Sequence, residues 1–175
     1  IRACVYGYGN IGKAVLSALK TSPDFEIVGV VSSSLQADAL EGVTVVRDIA
    51  ELENVEVAIL CTPSRTVPDL AASLLEKGIC TVDSFDIHTQ VCDVRRRLDQ
   101  VAKTHQVACV MSAGWDPGTD SMVRAILEAM TPRGITYTNF GPGMSMGHTV
   151  AVKAIEGVKN ALSMTIPLGT GIHRR

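Results

Sequence analysis

Two aspartates near the middle of the chain are suited to binding an amine or moving protons. Asp86 and Asp116 each lie a few residues after an aliphatic run of the kind that forms a buried strand. A single acid at such a position is commonly a helix cap. Acids in the loops that follow two separate strands instead favour a shared crevice, because ligands bind beyond the carboxyl ends of parallel strands. We therefore expect both loops to deliver their acids to one ligand crevice.

A glycine-rich turn near the start of the chain predicts a dinucleotide site. Residues 7–12 have the sequence GYGNIG and connect the first predicted strand to the first predicted helix. Gly7 permits the tight turn, Gly9 lets the backbone approach a pyrophosphate, and Gly12 lets helix and strand pack closely. The N–H groups and the dipole at the helix start attract phosphates. The predicted ligands of this turn are Gly7, Tyr8, Gly9, Asn10, Ile11 and Gly12.

The end of the second predicted strand indicates which dinucleotide is preferred. NAD sites usually place Asp or Glu there, to bond the ribose 2′-OH. This chain has Ser32, Ser33 and Ser34, with no acid before Asp38. Because no carboxylate repels a 2′-phosphate, NADP (as NADPH) is predicted. Arg47 and Arg65 are either helpers for that phosphate or solvated surface residues.

A third loop follows the strand before the Asp86 loop, on the same expected edge of the sheet. Its residues are assigned to the cofactor site because the carboxyl ends of parallel strands meet at one edge. They are Cys61, Thr62, Pro63 and Ser64.

Alternating strands and helices must position these loops. Aliphatic runs separated by helical periodicity predict a parallel sheet covered on both faces. Residues 1–113 are therefore predicted to form a doubly wound α/β domain of the Rossmann type. The strands are expected at 2–6, 26–32, 43–46, 55–61, 79–83 and 107–112, and the helices at 10–20, 67–77 and 89–105.

The pattern changes after residue 113. A helix (121–130), a strand (135–141), a helix (149–155) and a strand (160–166) are predicted there. Residues 114–175 are interpreted as the first part of an α+β substrate-binding and dimerisation domain, which the end of the chain cuts short.

Composition excludes several classes of function. The chain has 175 residues, a net charge of −2 and 46% hydrophobic residues, so it can bury a core and has no basic surface for nucleic acid. No apolar run is long enough for a membrane span, and the absence of a signal peptide favours the cytoplasm. The five cysteines have no C-x-x-C spacing, so neither a metal site nor a disulfide framework is expected.

Four motifs together resemble the diaminopimelate dehydrogenase family. They are GYGNIG at 7–12, CTVDSFDIH at 80–88, SAGWDPG at 112–118 and FGPGMSMGH at 140–148. The resemblance implies an NADP-dependent homodimer that interconverts meso-2,6-diaminopimelate with 2-amino-6-oxopimelate and ammonia. The reaction is oxidative deamination at the D-centre and supplies lysine and peptidoglycan precursors.

The resemblance also implies roles for single residues. Asp86 and Asp116 match the catalytic acids that face the amino group of the D-centre, where they would hold the amine and assist proton transfer. Trp115 matches the side chain that shapes the substrate slot. The substrate-binding set implied in the later loops is Phe140, Gly143, Ser145, Met146, Gly147, His148, Thr165 and Arg175.

Departures from the family pattern leave alternatives open. Many members have Ser-Arg-Arg where this chain has three serines, and Phe140 and Met146 stand where Trp and Gln occur in relatives. A more apolar substrate loop favours simpler 2-oxo acids, which would make the protein a broader D-amino-acid dehydrogenase. Another NAD(P) reductase, such as one like dihydrodipicolinate reductase or aspartate dehydrogenase, and a non-catalytic dinucleotide sensor are the other hypotheses.

Overall fold

A mostly parallel sheet of seven strands organises the first part of the computed structural model, which describes residues 1–134, 143–144, 146–167 and 173–174. The strands are β1 (Arg2–Tyr6), β2 (Glu26–Val31), β3 (Ala39–Leu40), β4 (Val43–Val46), β5 (Val57–Leu60), β6 (Cys80–Asp83) and β7 (Cys109–Val110). Their order is β3-β4-β2-β1-β5-β6-β7, so the chain changes direction across the sheet between β1 and β5. In open sheets of this type, such a reversal creates the ligand crevice.

Helices cover both faces of the sheet, which confirms the predicted doubly wound architecture. They are α1 (Asn10–Thr21), α2 (Val67–Glu76) and α3 (Val91–His105), with short 3-10 turns at Ile49–Glu51, Ser64–Thr66 and His88–Gln90. Helix α1 buries Gly12, Leu16 and Leu19, a spacing that forms one helical face. It packs on β1 and β2, whereas α2 and α3 pack on each other and α2 lies on β5 and β6.

The core divides into two aliphatic layers, one on each side of the sheet. Neighbouring residues of β1 illustrate this division, because Val5 belongs to the layer under α1 and Cys4 to the layer under α2 and α3. Phe85 is completely buried in the second layer, although it follows β6 in a loop. The loop that carries the predicted Asp86 is therefore anchored in the core.

Strand β3 was not predicted, and it makes the sheet mixed rather than wholly parallel. It pairs antiparallel with β4 through a tight turn in which Glu41 and Gly42 both have positive φ (49° and 83°). Positive φ at two central residues is the geometry of a two-residue hairpin turn. A strand of only two residues has no periodicity, so the sequence pattern could not indicate it.

Contacts divide the chain into two compact units, Ile1–Val123 and Arg124–Arg175, and the helix α4 (Thr119–Met130) extends across the boundary. In the second unit, β8 (Gly143–Met144), β9 (Met164–Pro167) and β10 (His173–Arg174) form an antiparallel sheet in the order β10-β9-β8. Helix α5 (Met146–Lys153) begins three residues before its prediction. The strand predicted at 135–141 lies outside the described residues.

None of the helices in the described part of the chain is long and apolar enough to cross a membrane.

Candidate functional site

The glycine turn after β1 has no space for side chains at two of its three glycines. Gly7 has φ +98°, and a Cβ there would lie 2.6 Å from the carbonyl oxygen of Cys61. A Cβ on Gly12 would lie 2.1 Å from the carbonyl oxygen of Gly7. A Cβ on Gly9, by contrast, would have no atom within 4 Å. Gly7 and Gly12 therefore allow the turn to pack closely against neighbouring backbone, whereas the surface outside Gly9 is open.

The start of α1 is suited to an anion. Gly9 is the N-cap residue, no side chain caps the helix, and the first turn has no acid. The first N–H groups of a helix have no acceptor within the helix and carry its positive dipole end. With the open surface at Gly9, these groups fit the pyrophosphate of a dinucleotide.

The other residues predicted in this turn surround the helix start. Tyr8 is half-buried, and Lys13 Nζ lies 5.9 Å from the centre of its ring. Asn10 and Ile11 are exposed, and the Ile11 side chain is 57% accessible. An aliphatic side chain left open at the helix start is available to contact a bound cofactor.

The loop after β5 lies against the glycine turn, as predicted. Cys61 N donates to the carbonyl of Tyr6 (2.7 Å), and a Cβ on Gly7 would lie 3.3 Å from the Thr62 methyl carbon. Thr62 Oγ1 is buried and has no hydrogen-bond partner within the described ranges. Burial raises the pKa of the Cys61 thiol to about 11, so this thiol is neutral rather than a nucleophile. Pro63 and Ser64 continue the loop into the 3-10 turn Ser64–Thr66.

Asp83 joins the two loops that carry the predicted catalytic acids. Its side chain is 2% exposed, and Oδ1 accepts from the backbone N–H groups of Phe85 (2.9 Å) and Ser112 (3.1 Å). The Ser112 hydroxyl donates in turn to the Phe85 carbonyl (2.9 Å), and Ala113 N donates to the Asp83 carbonyl (2.7 Å). The ends of β6 and β7 are thus held together by one buried carboxylate.

Sequence reasoning did not assign Asp83 to the site. An acid at the last position of an otherwise buried strand was the available signal, because such a carboxylate needs several hydrogen bonds to remain buried. Its Oδ2 is also buried, without a hydrogen-bond partner in the part of the chain that the structure describes.

His88 connects the loops of Asp86 and Asp116. Its Nδ1 lies 2.8 Å from the Asp86 carbonyl oxygen, and its Nε2 lies 3.5 Å from Asp116 Oδ1. A carbonyl oxygen only accepts, so Nδ1 carries a proton and Nε2 is the atom that faces Asp116. His88 was not predicted as a site residue. The pairing could not be foreseen because the two residues are distant in sequence and meet only through the parallel strands β6 and β7.

The turn around Asp116 is closed by its own backbone and by Ser121. Gly118 has φ +145°, and a Cβ there would lie 2.0 Å from the Gly114 carbonyl oxygen. Ser121 Oγ donates to Asp116 Oδ1 (3.3 Å) and accepts from Gly118 N (3.3 Å). The Trp115 side chain is 57% exposed, so it is available to line a slot for a ligand.

The serines after β2 lie at the same edge of the sheet as the glycine turn. Ser32 is buried, whereas Ser33 and Ser34 are exposed, and the hydroxyls of Ser32 and Ser34 are 3.4 Å apart. Gly7 N donates to the Val31 carbonyl (2.8 Å), so the end of β2 is adjacent to the turn.

The remaining predicted substrate residues belong to the second unit. Gly143 of β8 and Thr165 of β9 are paired in the antiparallel sheet, Met146 and Gly147 begin α5, and His148 is exposed on that helix. Phe140, Ser145 and Arg175 lie outside the described residues. The roles of all these residues remain predictions.

The described residues contain no group of His, Cys, Asp and Glu side chains that could hold a metal ion.

Two family models match the chain. Residues 1–112 match the oxidoreductase family with an NAD-binding Rossmann fold, and residues 114–175 match the C-terminal domain of diaminopimelic acid dehydrogenase. The meso-diaminopimelate D-dehydrogenase of Bacteroides fragilis is 62% identical over 178 residues. That alignment covers 100% of this chain and 60% of the relative, so the chain spans well under two thirds of that protein's length.

Solved structures agree in fold. The diaminopimelate dehydrogenase of C. glutamicum in complex with DAP has a TM-score of 0.82 and 32% identity, covering 95% of this chain and 52% of that one. An engineered D-amino acid dehydrogenase bound to NADP⁺ has a TM-score of 0.80 and 32% identity, covering 95% and 53%. The family resemblance predicted from the four motifs is confirmed by these matches.

Proposed function

The chain belongs to the oxidoreductase family with an NAD-binding Rossmann fold, and from this premise we propose that it catalyses the reversible, NADP-dependent oxidative deamination of meso-2,6-diaminopimelate. The D-centre would become the 6-oxo carbon of 2-amino-6-oxopimelate, with release of ammonia. The relatives named meso-diaminopimelate D-dehydrogenase and the neighbour in complex with DAP support this substrate.

The bridge between the Asp86 and Asp116 loops carries the proposal. Through His88, the structure links two acid-bearing loops at neighbouring strand ends, on the edge of the sheet that also holds the glycine turn. Two carboxylates at such an edge provide an anionic site for a substrate ammonium group.

The reaction needs a hydride acceptor, a base for the amino group and a water molecule. The bound nicotinamide would supply the hydride acceptor. As the α-carbon loses its hydride, positive charge develops on the substrate nitrogen, which the Asp86 and Asp116 carboxylates would stabilise. Either carboxylate would accept the amine proton and assist the addition of water to the imine. The resulting carbinolamine would release ammonia and leave the oxo group.

His88 and Ser121 would keep Asp116 in position during these steps. Both face the same oxygen, Asp116 Oδ1, at 3.5 and 3.3 Å. Holding a carboxylate in one orientation favours reaction, because a misplacement of about 1 Å can cost about 10²-fold in rate.

NADP is the proposed cofactor. Its support comes from the glycine turn, from the serines after β2, which offer hydroxyls in place of a carboxylate, and from a structural neighbour bound to NADP⁺. A homodimer in the cytoplasm, with no nucleic acid or membrane partner, is proposed on the family resemblance and on the near-neutral charge of the chain.

The test measures the reduction of NADP⁺ at 340 nm by the purified full-length protein. The substrates compared are the meso, L,L and D,D isomers of diaminopimelate. Activity confined to the meso form is expected, with NAD⁺ much less effective. Activity with D,D-diaminopimelate or simple D-amino acids would instead identify a broader D-amino-acid dehydrogenase. No turnover with any isomer or cofactor would contradict the enzyme hypothesis and favour a dinucleotide sensor.

A further inference from the structure

A polar pocket lies beside the glycine turn, at the carboxyl ends of β2 and β4. It has a volume of about 260 Å³, and its lining includes Ser32, Gln36, Asp38 and Arg47 above the aliphatic residues Val45 and Val46. The pocket is outside the region of the acid loops, which follow β6 and β7 on the other side of β1.

Strand register places a hydroxyl and a cation side by side in this pocket. Val31 of β2 is paired with Val46 of β4, so Ser32 and Arg47 are the next residues on two neighbouring parallel strands. Ser32 N donates to the Val46 carbonyl (2.9 Å), which closes the two strand ends together. Adjacent strands are about 4.8 Å apart, so both residues are within reach of one phosphate group.

A capping box fixes the backbone at Arg47, and it engages the carboxylates of Asp48 and Glu51 in hydrogen bonds. Glu51 Oε1 accepts from the N–H groups of Arg47 (3.1 Å) and Asp48 (2.8 Å), and Asp48 Oδ1 accepts from Ala50 N (2.9 Å). In the described part of the chain, the Arg47 guanidinium has no hydrogen bond or ion pair. A cation with a fixed backbone and no internal partner is suited to an external anion.

The pocket also has the correct position relative to the cofactor turn. Gly7 N bonds to the Val31 carbonyl, so β1, β2 and β4 end in that order along one edge. A dinucleotide whose pyrophosphate lies at Gly9 places its adenosine ribose near the end of the second strand. The 2′-substituent of that ribose would then enter the Ser32–Arg47 pocket.

We propose that Arg47, together with the Ser32 and Ser34 hydroxyls, binds the 2′-phosphate of NADP and determines cofactor preference in this chain. The inference rests on the proposed function for the identity of the cofactor. It goes further by assigning the preference for NADP to a cation that follows β4, rather than only to the residues that follow β2. An arginine binds a phosphate with charge-assisted and often bidentate hydrogen bonds, whereas a 2′-hydroxyl offers it no charge.

Asp38 is the competing feature of the pocket. Asp38 lines the same cavity, and its backbone carbonyl accepts from Val45 N (2.9 Å). If Asp38 were the residue that reads the ribose, it would accept a hydrogen bond from the 2′-OH of NAD and repel a 2′-phosphate. Mutation of Arg47 and mutation of Asp38 are therefore expected to have opposite effects on the binding of NADPH and NADH.

The experiment compares the binding of NADPH and NADH to the purified full-length protein by nicotinamide fluorescence, without amino-acid substrate. Arg47→Gln is expected to weaken NADPH binding ~10–100-fold, the usual contribution of a charged hydrogen bond, and to change NADH binding less than about 2-fold. Asp38→Asn is expected to leave NADPH binding unchanged or tighter. Arg95→Gln is the matched control, since it removes the same charge from an exposed position of α3, and it should affect the binding of neither cofactor.

A second probe separates the phosphate from the nicotinamide. In the wild type, 2′,5′-ADP should compete with NADPH more strongly than 5′-AMP does. In Arg47→Gln the two nucleotides should compete equally, and Arg47→Lys should restore part of the difference. Equal losses of NADPH and NADH binding in Arg47→Gln, or a loss of NADH binding confined to Asp38→Asn, would overturn the assignment. Because no turnover is measured, failure of the proposed deamination would not produce these results.

Discussion

At the scale of single residues, the candidate active site consists of two predicted acids and two connecting side chains that were not predicted. Asp86 and Asp116 followed from their positions after strands. Asp83 and His88 follow from the structure alone, since their partners Ser112 and Asp116 belong to the next strand end. The loops of the two acids are therefore joined by a small network of contacts, and each part of it has a separate experimental signature.

Removing the charge of either acid should impair turnover without impairing cofactor binding. We expect Asp86→Asn and Asp116→Asn each to lower kcat ~10²–10⁴-fold, the range for groups that transfer protons or stabilise charge. The Kd for NADPH should not change, because the end of β5 lies between the glycine turn and the strand ends that carry both residues. Asp99→Asn, an exposed acid of α3 paired with Lys103, is the control. Wild-type rates in both active-site variants would contradict the assignment.

His88→Gln tests the proposed positioning of Asp116. The substitution removes the imidazole that faces Asp116 Oδ1, so we expect kcat to fall ~10-fold while KM for NADPH stays constant, since the orientation of one carboxylate is affected. His105→Gln, at the exposed end of α3, should be indistinguishable from wild type in steady-state kinetics. Loss of activity together with a lower Tm in His88→Gln would instead assign the residue a structural role.

At the scale of elements, the glycine turn between β1 and α1 combines packing and binding in six residues. The sequence pattern predicted the turn itself, because Gly12 packs against the Gly7 carbonyl within the same motif, whereas the contact of Gly7 with the Cys61 carbonyl depends on the pairing of β1 with β5. The strand ends are less predictable. Predicted strands 55–61 and 107–112 were longer than β5 and β7, since hydrogen bonding to neighbouring strands, rather than aliphatic composition, determines where a strand ends.

Two glycine substitutions should separate packing from binding. Gly12→Ala places a methyl group 2.1 Å from the Gly7 carbonyl oxygen, so we expect a loss of about 1–3 kcal/mol in the free energy of unfolding, together with weaker NADPH binding. Gly9→Ala meets no protein atom, and its φ of −82° suits alanine. It should keep the wild-type Tm and still lose NADPH binding, because the methyl group occupies the surface that a pyrophosphate would approach. Urea denaturation and NADPH fluorescence provide the two measurements, and unchanged binding in Gly9→Ala would exclude a pyrophosphate at this turn.

At the scale of the whole molecule, packing of the sheet determines the chemistry of the cysteines. Burial raises the pKa of Cys4 to about 12 and that of Cys61 to about 11, whereas Cys92 is exposed on α3. A thiol with a raised pKa has very little thiolate at pH 8, and the thiolate fraction grows only as the pH approaches that pKa.

Alkylation should therefore follow burial. In the folded protein at pH 8, iodoacetamide should modify Cys92 first and leave Cys4 and Cys61 intact, as measured by peptide mass spectrometry after short exposure. In urea, all three should react at similar rates. Early modification of Cys61 in the folded state would mean that the β5 loop opens away from the glycine turn.

The amino-acid sequence by itself determined the doubly wound sheet and the glycine turn after β1, because both depend on local periodicity and on close packing within a motif. It also placed Asp86 and Asp116 after their strands, and their catalytic role stays a prediction. Tertiary structure alone decided the antiparallel strand β3, the buried bridge of Asp83, the contact of His88 with Asp116 and the position of Ser32 and Arg47 at the ends of neighbouring strands. The hairpin of β3 is too short to have a periodic signal. The other three join residues that belong to different strand ends, and strand order and register bring them together rather than any spacing along the chain.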